Sequence, residues 1–194
     1  MAHNRPNSVA TDVSLIAVFA ALTAAFSLTP DIPLPAGVPI TLQTLAVMLT
    51  GVILGPRRGF LAILLYLVVG FAGLPVFAGG AAGLGVLAKP SIGYLLAFPI
   101  GAAVTGAVAK LVVTRTGFTR AAGFFFAGLA GSVVIHAAGI AGLMIVARMN
   151  FVTALLTDLA FWPGDLVKAG IAAAIAVAVH KAFPALLAPR VAAA

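Results

Sequence analysis

Residues 59–88 read GFLAILLYLVVGFAGLPVFAGGAAGLGVLA, thirty consecutive positions without a charged side chain. A soluble domain carries about 25% charged residues, so an uncharged run of this length is not typical of a water-exposed chain. The whole sequence has the same character, since 63% of its 194 residues are hydrophobic and 8% are charged. We expect an all-α integral membrane protein, because helices satisfy their backbone hydrogen bonds internally in lipid.

The same composition excludes several classes of function. Each crossing of the hydrocarbon core takes about 20 helical residues, so 194 residues hold about five to seven crossings. No nucleotide-binding domain fits beside them, which excludes a complete ATP-driven pump. The absence of cysteine excludes disulfides and a cysteine nucleophile. We interpret the net charge of +7 as a sign of cationic cytoplasmic ends, rather than of nucleic-acid binding.

Charged, proline-rich and glycine-rich segments separate six predicted spans within one transmembrane domain, residues 1–194. The spans are residues 13–28, 40–54, 60–72, 91–109, 121–147 and 165–187. The Gly-rich stretch 73–90 is expected to lie against protein on the extracellular side, and residues 148–164 are expected to form a polar connection. A cleaved signal peptide is the alternative for the first span. A single arginine before it and Asp12 at its start favour retention.

The Lys and Arg residues orient these spans in the cytoplasmic membrane of a prokaryote. With both termini in the cytoplasm, eight of the eleven cations lie on the cytoplasmic side, as the positive-inside rule requires. These eight are Arg5, Arg57, Arg58, Lys110, Arg115, Arg120, Lys181 and Arg190. The outer side holds the cations Lys89, Arg148 and Lys168 and the acids Asp31, Asp158 and Asp165.

The segment FWPGDLVK, residues 161–168, places two opposite charges one helical turn apart. Asp165 lies at a predicted helix start, and Lys168 follows on the same face. A lysine at this depth is costly unless it is paired or faces a wet cavity. The two residues therefore either cap the helix as a pair or face an outward-open pocket for an anionic ligand group. Trp162 is either a wall of that pocket or an interfacial belt residue.

Two other features each have two interpretations. His136, in the middle of the fifth span, is a functional ionisable residue or a neutral imidazole bonded to a neighbouring helix. Small residues at three- and four-residue spacing in the first span suit packing within the chain or docking of a partner helix. They are Ala17, Ala20, Ala21, Ala24 and Ala25. The sequence contains no metal-binding cluster and no catalytic motif, so an enzyme is not expected.

Five blocks in a fixed order carry a family resemblance. They are GVPITLQT (37–44), LGPRRG (54–59), GLPVFAGGAAGLGVL (73–87), GYLLAFP (93–99) and FWPGDLVK (161–168). Together they resemble the BioY family, the biotin-specific S components of energy-coupling factor (ECF) transporters, over residues 17–181. The resemblance implies a bundle of six transmembrane helices with a Gly-rich extracellular loop between helices 3 and 4. It also implies a biotin site near the extracellular side, and partnership with a transmembrane coupling protein and two ATPase subunits.

The resemblance assigns roles to individual residues as well. It makes Asp165 a partner of the ureido group and Lys168 a partner of the carboxylate of biotin or its polar neighbours. The loop around Gly80 would close over the ligand. The alanines of the first helix, Ala17, Ala20, Ala21 and Ala24, would meet the coupling protein. Lys89 stands where the family commonly has a GPTGGY-like stretch, and it is either an extra cation for the carboxylate or a solvated residue.

The residues support the same ligand without the family. Biotin combines an apolar bicycle, a ureido group and a carboxylate. A water-poor pocket with Asp165, Lys168, Gln43, Tyr94 and Trp162 would offer apolar walls, hydrogen-bonding groups and a cation.

The predicted function is therefore biotin uptake, with ATP hydrolysed by partner subunits and no cofactor bound to this chain. The expected partners are biotin, the coupling protein, the two ATPases and the lipid bilayer, without nucleic acid; self-association is left open. The alternative is a stand-alone secondary carrier of biotin or a related small vitamin. An intramembrane enzyme is not expected, because His136 has no visible catalytic partner in the sequence.

Overall fold

The computed structural model describes residues 9–33 and 37–187, and these ranges are mostly helical. The helices are α1 (Val9–Ser27), α2 (Gln43–Phe71), α3 (Ile92–Val112), α4 (Gly117–Val146), α5 (Phe151–Leu159) and α6 (Trp162–Ala182). Short 3-10 turns occupy Ala78–Gly80, Leu84–Ala88 and Pro184–Leu186. In the described ranges, strand-like pairing is limited to two isolated bridges. The all-α prediction is confirmed, whereas the predicted cations Arg5 and Arg190 lie outside these ranges.

Five helices in the described part of the chain, all except α5, are long and apolar enough to cross a membrane. Helix α5 was not expected, because residues 148–164 were predicted to form a connection only. Asn150 starts this helix by accepting a hydrogen bond from the Thr153 N–H at 2.9 Å, which satisfies one free donor of the first turn. Helix α6 begins at Trp162 rather than at the predicted residue 165, because the adjacent proline suits a first helical turn.

Helix α2 folds back on itself at Gly55, where the backbone adopts φ 79° and ψ −178°. The Gln43 side-chain amide donates to the Tyr66 hydroxyl at 2.7 Å. In a straight helix these two residues would be about 35 Å apart. We call residues 43–54 and 56–71 the first and second arms of α2. The arms lie side by side, since a Cβ on Gly59 would approach the Gly51 Cα to 3.4 Å.

The predicted break at residues 55–59 is therefore wrong in length. Only Gly55 leaves the helical conformation, and Pro56 already begins the second arm. Proline is well suited to a first helical turn, because its missing N–H would have no partner there. The predicted third span, which started at residue 60, consequently starts about one turn too late.

Helix α2 is the centre of the bundle and packs against α1, α3, α4 and α6. Residues 45–54 of its first arm and Gly55 at the turn are all buried. Helix α1 is the least buried of the five long helices, since 11% of the residues in its most apolar stretch are buried. An ion pair anchors the start of α1, because the Asp12 carboxylate lies 2.5 Å from the Arg58 guanidinium at the turn of α2.

The Gly-rich segment between α2 and α3 packs back onto the end of α2. Phe77 is buried and contacts the rings of Tyr66 and Phe71 at centroid distances of 5.4 and 5.2 Å. The Gly83 N–H donates to the Gly70 carbonyl at 2.8 Å. Phe77 fills the space beside Gly70, where any larger side chain would meet its ring. The segment thus forms a fixed cover above one end of the bundle.

Candidate ligand-binding site

A cavity of about 260 Å³ lies beneath this cover, between α2, α3, α4, α6 and the segment that precedes α2. Its apolar lining includes Val38, Phe77, Leu95, Phe98 and Phe161. Its polar lining includes Asp31, Thr41, Gln43, Thr44, Lys89, Tyr94, His136, Asp165 and Lys168. A mostly apolar cavity with a few converging polar groups is the usual composition of a small-molecule site.

Asp165 and Lys168 form a buried ion pair at the start of α6. The Lys168 ammonium donates to Asp165 Oδ1 and to Thr44 Oγ1, each at 2.8 Å, and the Thr44 hydroxyl donates to the same Asp165 oxygen at 2.9 Å. Asp165 is 1% exposed and Lys168 is 8% exposed. No side chain caps the N-terminus of α6. The Asp165 carboxylate is instead hydrogen-bonded to side chains that line the cavity.

His136 extends this pair into a chain of four ionisable side chains. Its Nε2 lies 3.1 Å from Asp165 Oδ2, and its Nδ1 lies 2.7 Å from Asp158 Oδ1. We call Asp158, His136, Asp165 and Lys168 the polar cluster. An imidazolium would donate to both carboxylates, and the cluster would then carry two positive and two negative charges. Buried charges of this kind are tolerated only when they are paired and hydrogen-bonded.

Asp158, at the end of α5, closes the far side of the cluster. It accepts hydrogen bonds from the Tyr94 hydroxyl at 2.9 Å and from the Trp162 indole N–H at 3.2 Å. The Trp162 ring stacks on His136 with a centroid distance of 4.7 Å and an interplanar angle of 22°. Trp162 therefore lies behind His136 and is not among the residues that line the cavity.

The first arm of α2 contributes Gln43 and Thr44 to the cavity. Gln43 is held at both ends of its amide, which donates to Tyr66 at 2.7 Å and accepts from the Thr41 hydroxyl at 3.1 Å. Thr44 bridges α2 to α6 through Lys168 and Asp165. The fold-back of α2 thus places Tyr66 of the second arm against Gln43 of the first arm, and Gln43 and Thr44 line the cavity.

Lys89 and Asp31 line the part of the cavity that is open to solvent. Lys89 is exposed and Asp31 is partly exposed. Within the described ranges, Lys89 forms no ion pair. Its ammonium is therefore available to an anionic group of a ligand.

The structure brings together most of the predicted site residues, but not all of them. Asp165, Lys168, Gln43, Lys89 and Tyr94 line the cavity. Gly80 does not; it is exposed, and a Cβ there would have open space around it. Trp162 contacts His136 and does not line the cavity.

Sequence reasoning missed Thr44 and Asp158. Thr44 carries no signal of its own, because its role depends on the fold-back of α2. Asp158 could have been noticed as an acid within the apolar run ALLTDLAFW, since an ionisable residue at membrane depth is a site candidate by default. In the described ranges, no cluster of three or more His, Cys, Asp or Glu side chains could hold a metal ion.

The alanines of α1 divide between two faces. Ala20 is buried and Ala24 packs against the core, so these two serve packing within the chain. Ala17 and Ala21 are exposed. Docking of a partner helix stays a prediction, and Ala17 and Ala21 are the two exposed members of the four alanines predicted to dock.

Comparison with known proteins places the chain in a family. The family model described as the BioY family matches residues 1–185. The chain belongs to the BioY family. It is 41% identical over 179 residues to the biotin transporter BioY of Rhizobium etli, covering 90% of this chain and 96% of that protein. It is 39% identical over 190 residues to the biotin transporter BioY of Rhodobacter capsulatus, covering 92% and 98%.

A solved structure of similar fold is the S component for biotin from an ECF-type ABC transporter. Its TM-score to this chain is 0.82 at 28% sequence identity, covering 93% of this chain and 95% of that one. The BioY relatives are transporters, so the resemblance in the sequence is confirmed and the chain is not an enzyme. Membership in the BioY family also agrees with a membrane protein built from several apolar helices.

Proposed function

We propose that this chain captures biotin as the substrate-binding S component of an ECF-type transporter. The observation that carries the proposal is the buried Asp165–Lys168 pair, which faces a cavity of about 260 Å³ in a BioY-family chain. The paired charges offer a fixed acceptor and a fixed donor in a water-poor site, where charge-assisted hydrogen bonds are strongest.

The ligand is proposed to lie with its ureido group at the polar cluster and its carboxylate towards Lys89. Asp165 and Lys168 sit deep in the cavity and already neutralise each other, so a second anion there would lack a counter-charge. Lys89 lines the solvent-open part and has no ion pair within the described ranges. Phe77, Phe98 and Phe161 would cover the bicycle and the aliphatic chain.

The chain is proposed to cross the cytoplasmic membrane six times, with both arms of α2 as separate crossings. The first arm has about 18 Å of helix, less than the hydrocarbon core. This is tolerated because residues 45–55 are shielded by other helices. The turn at Gly55 lies beside Lys110, and Arg58 donates to the Leu186 carbonyl at 3.3 Å. These cations gather at the end opposite the cavity, which supports a cytoplasmic location for that end and for both termini.

ATP hydrolysis is assigned to two partner ATPases, reached through a transmembrane coupling protein. No cofactor is proposed for this chain itself. The exposed Ala17 and Ala21 of α1 are the proposed contact for the coupling protein, because small residues let two helix backbones approach closely.

A binding panel on the purified chain tests the choice of ligand. Biotin, thiamine, riboflavin and lipoate are titrated separately, and biotin alone is expected to bind tightly. Tight binding of another vitamin, with none of biotin, would overturn the proposal. Uptake in cells that lack every coupling protein distinguishes the two modes of transport: loss of uptake is expected, and undiminished uptake would indicate a stand-alone carrier.

A further inference from the structure

We propose that Asp158 is a positioning residue of the binding site, although it does not line the cavity. This inference rests on the proposed function, because it concerns the same site. Asp158 is 1% exposed and lies on α5, a helix that contributes no side chain to the cavity lining. A buried carboxylate that does not line the cavity can influence binding only through the groups that it holds.

Asp158 holds three side chains from three other helices. Its Oδ1 accepts from the Tyr94 hydroxyl of α3 at 2.9 Å and lies 2.7 Å from His136 Nδ1 of α4. Its Oδ2 accepts from the Trp162 indole of α6 at 3.2 Å. Tyr94 and His136 both line the cavity. One carboxylate therefore fixes the position of two cavity side chains.

The same carboxylate acts on Asp165 through His136. With Nδ1 held by Asp158 and one face covered by Trp162, the imidazole has a single orientation, in which Nε2 meets Asp165 Oδ2. Asp165 then presents Oδ1 to Lys168 and Thr44. Loss of Asp158 would free the imidazole to rotate. Asp165 would then lose His136 as the partner that fixes its Oδ2. The predicted effect is on ligand affinity, transmitted through His136.

A simple structural brace for α5 is the competing explanation, and two variants separate it from positioning. Asp158→Asn keeps the shape of the side chain but removes its charge and replaces one carboxylate oxygen with an amide nitrogen, which cannot accept a hydrogen bond. The single remaining oxygen cannot accept from Tyr94 and His136 on one side and from Trp162 on the other. Asn150→Ala removes the N-cap of α5 and leaves the Asp158 carboxylate in place. The positioning role predicts weaker biotin affinity in the first variant by about 10- to 100-fold, and unchanged affinity in the second.

The experiment is a double-mutant cycle on the full chain in detergent, read out as biotin affinity by calorimetry and as thermal unfolding without ligand. The variants are Asp158→Asn, His136→Gln and the double variant. Because Asp158 acts through His136, the double variant is expected to bind no more weakly than the weaker single variant. Additive losses, or an equal loss in Asn150→Ala, would overturn the positioning role.

Two further outcomes keep the inference separate from the proposed function. Unchanged affinity in Asp158→Asn, with normal binding by the wild type, contradicts positioning alone. A wild type that binds no biotin overturns both. If Asp158→Asn does not fold, Trp162→Phe replaces it, since it removes one donor to Asp158 from outside the cavity. Its affinity is expected to fall about 2- to 10-fold, and no change would count against positioning.

Discussion

At the scale of single residues, the site is a set of charges that satisfy one another before any ligand arrives. Lys168, Asp165 and Thr44 form a closed triangle of hydrogen bonds at 2.8–2.9 Å. Such an arrangement is stiff, because each group restricts the other two. A ligand meets donors and acceptors that are already in place, and it loses little free energy in ordering them.

Thr44 offers a sharp test of this arrangement. Thr44→Val keeps the shape of the side chain and removes the hydroxyl that bridges Lys168 and Asp165. Biotin affinity is expected to fall about 10-fold, because Lys168 and Asp165 each lose a buried partner. Thr50→Val is the matched control, since Thr50 lies on the same arm and its hydroxyl donates to the Ala46 carbonyl at 2.7 Å, its one side-chain hydrogen bond in the described part of the chain. Equal affinities for both variants and the wild type, measured by calorimetry, would exclude the bridge.

Sequence reasoning identified Asp165 and Lys168 because a turn signal, a helix start and a deep lysine coincide in seven residues. It left His136 open between two interpretations, because the partners of an imidazole come from other helices. Asp158 lies 22 residues from His136 and Thr44 lies 121 residues from Asp165. Contacts at such separations depend on helix packing, which no local pattern encodes.

At the scale of elements, the fold-back of α2 decides which residues can meet. Charge and proline at residues 55–59 predicted a break, but the geometry depends on Gly55 alone. With φ at 79°, this position lies in a region that only glycine enters readily. The turn lets Gln43 and Tyr66 reach each other and brings the first arm to the cavity.

Gly55→Ala is therefore expected to destabilise the protein. The strained backbone would cost about 1–3 kcal/mol, and the added Cβ would approach Leu187 Cδ2 to 2.7 Å. Gly170→Ala is the control, because a Cβ at this helical position meets nothing within 4 Å. Thermal unfolding in detergent is expected to show a lower midpoint for the first variant only. Equal midpoints would mean that the turn tolerates a side chain.

A bulky side chain tests whether the exposed Ala17 and Ala21 of α1 contact the coupling protein. Ala21→Trp is expected to reduce biotin uptake in cells by at least about 10-fold, because a large residue prevents close approach of a partner helix. Biotin binding by the purified variant is expected to be unchanged. Val133→Trp, at an exposed position on α4, is the control and should transport normally. Normal uptake by Ala21→Trp would exclude this face as the docking site.

At the scale of the whole molecule, the polar side chains of the cavity and the polar cluster lie at one end of an apolar bundle. The cavity and the polar cluster lie at the loop end, and the cations of the α2 turn lie at the other. Composition alone, with 63% hydrophobic and 8% charged residues, predicted the membrane location. The number of crossings was harder to read, because the first arm is short and hidden among other helices.

The absence of cysteine makes a test of orientation simple. Leu84→Cys places a thiol in the exposed loop above the cavity, and Thr116→Cys places one before α4 at the opposite end. In intact cells, a membrane-impermeant maleimide is expected to label the first variant and to leave the second unlabelled until the cells are broken. The reverse pattern would invert the proposed topology.

Recognition of biotin by the Asp165–Lys168 pair is tested by calorimetry on a charge-neutral variant. Asp165→Asn/Lys168→Gln removes both charges together, which avoids the roughly 3–5 kcal/mol cost of leaving one buried charge unpaired. The wild type is expected to bind biotin tightly, and the folded double variant is expected to lose at least about 100-fold in affinity. Equal affinity in the two proteins would show that the pair does not recognise biotin.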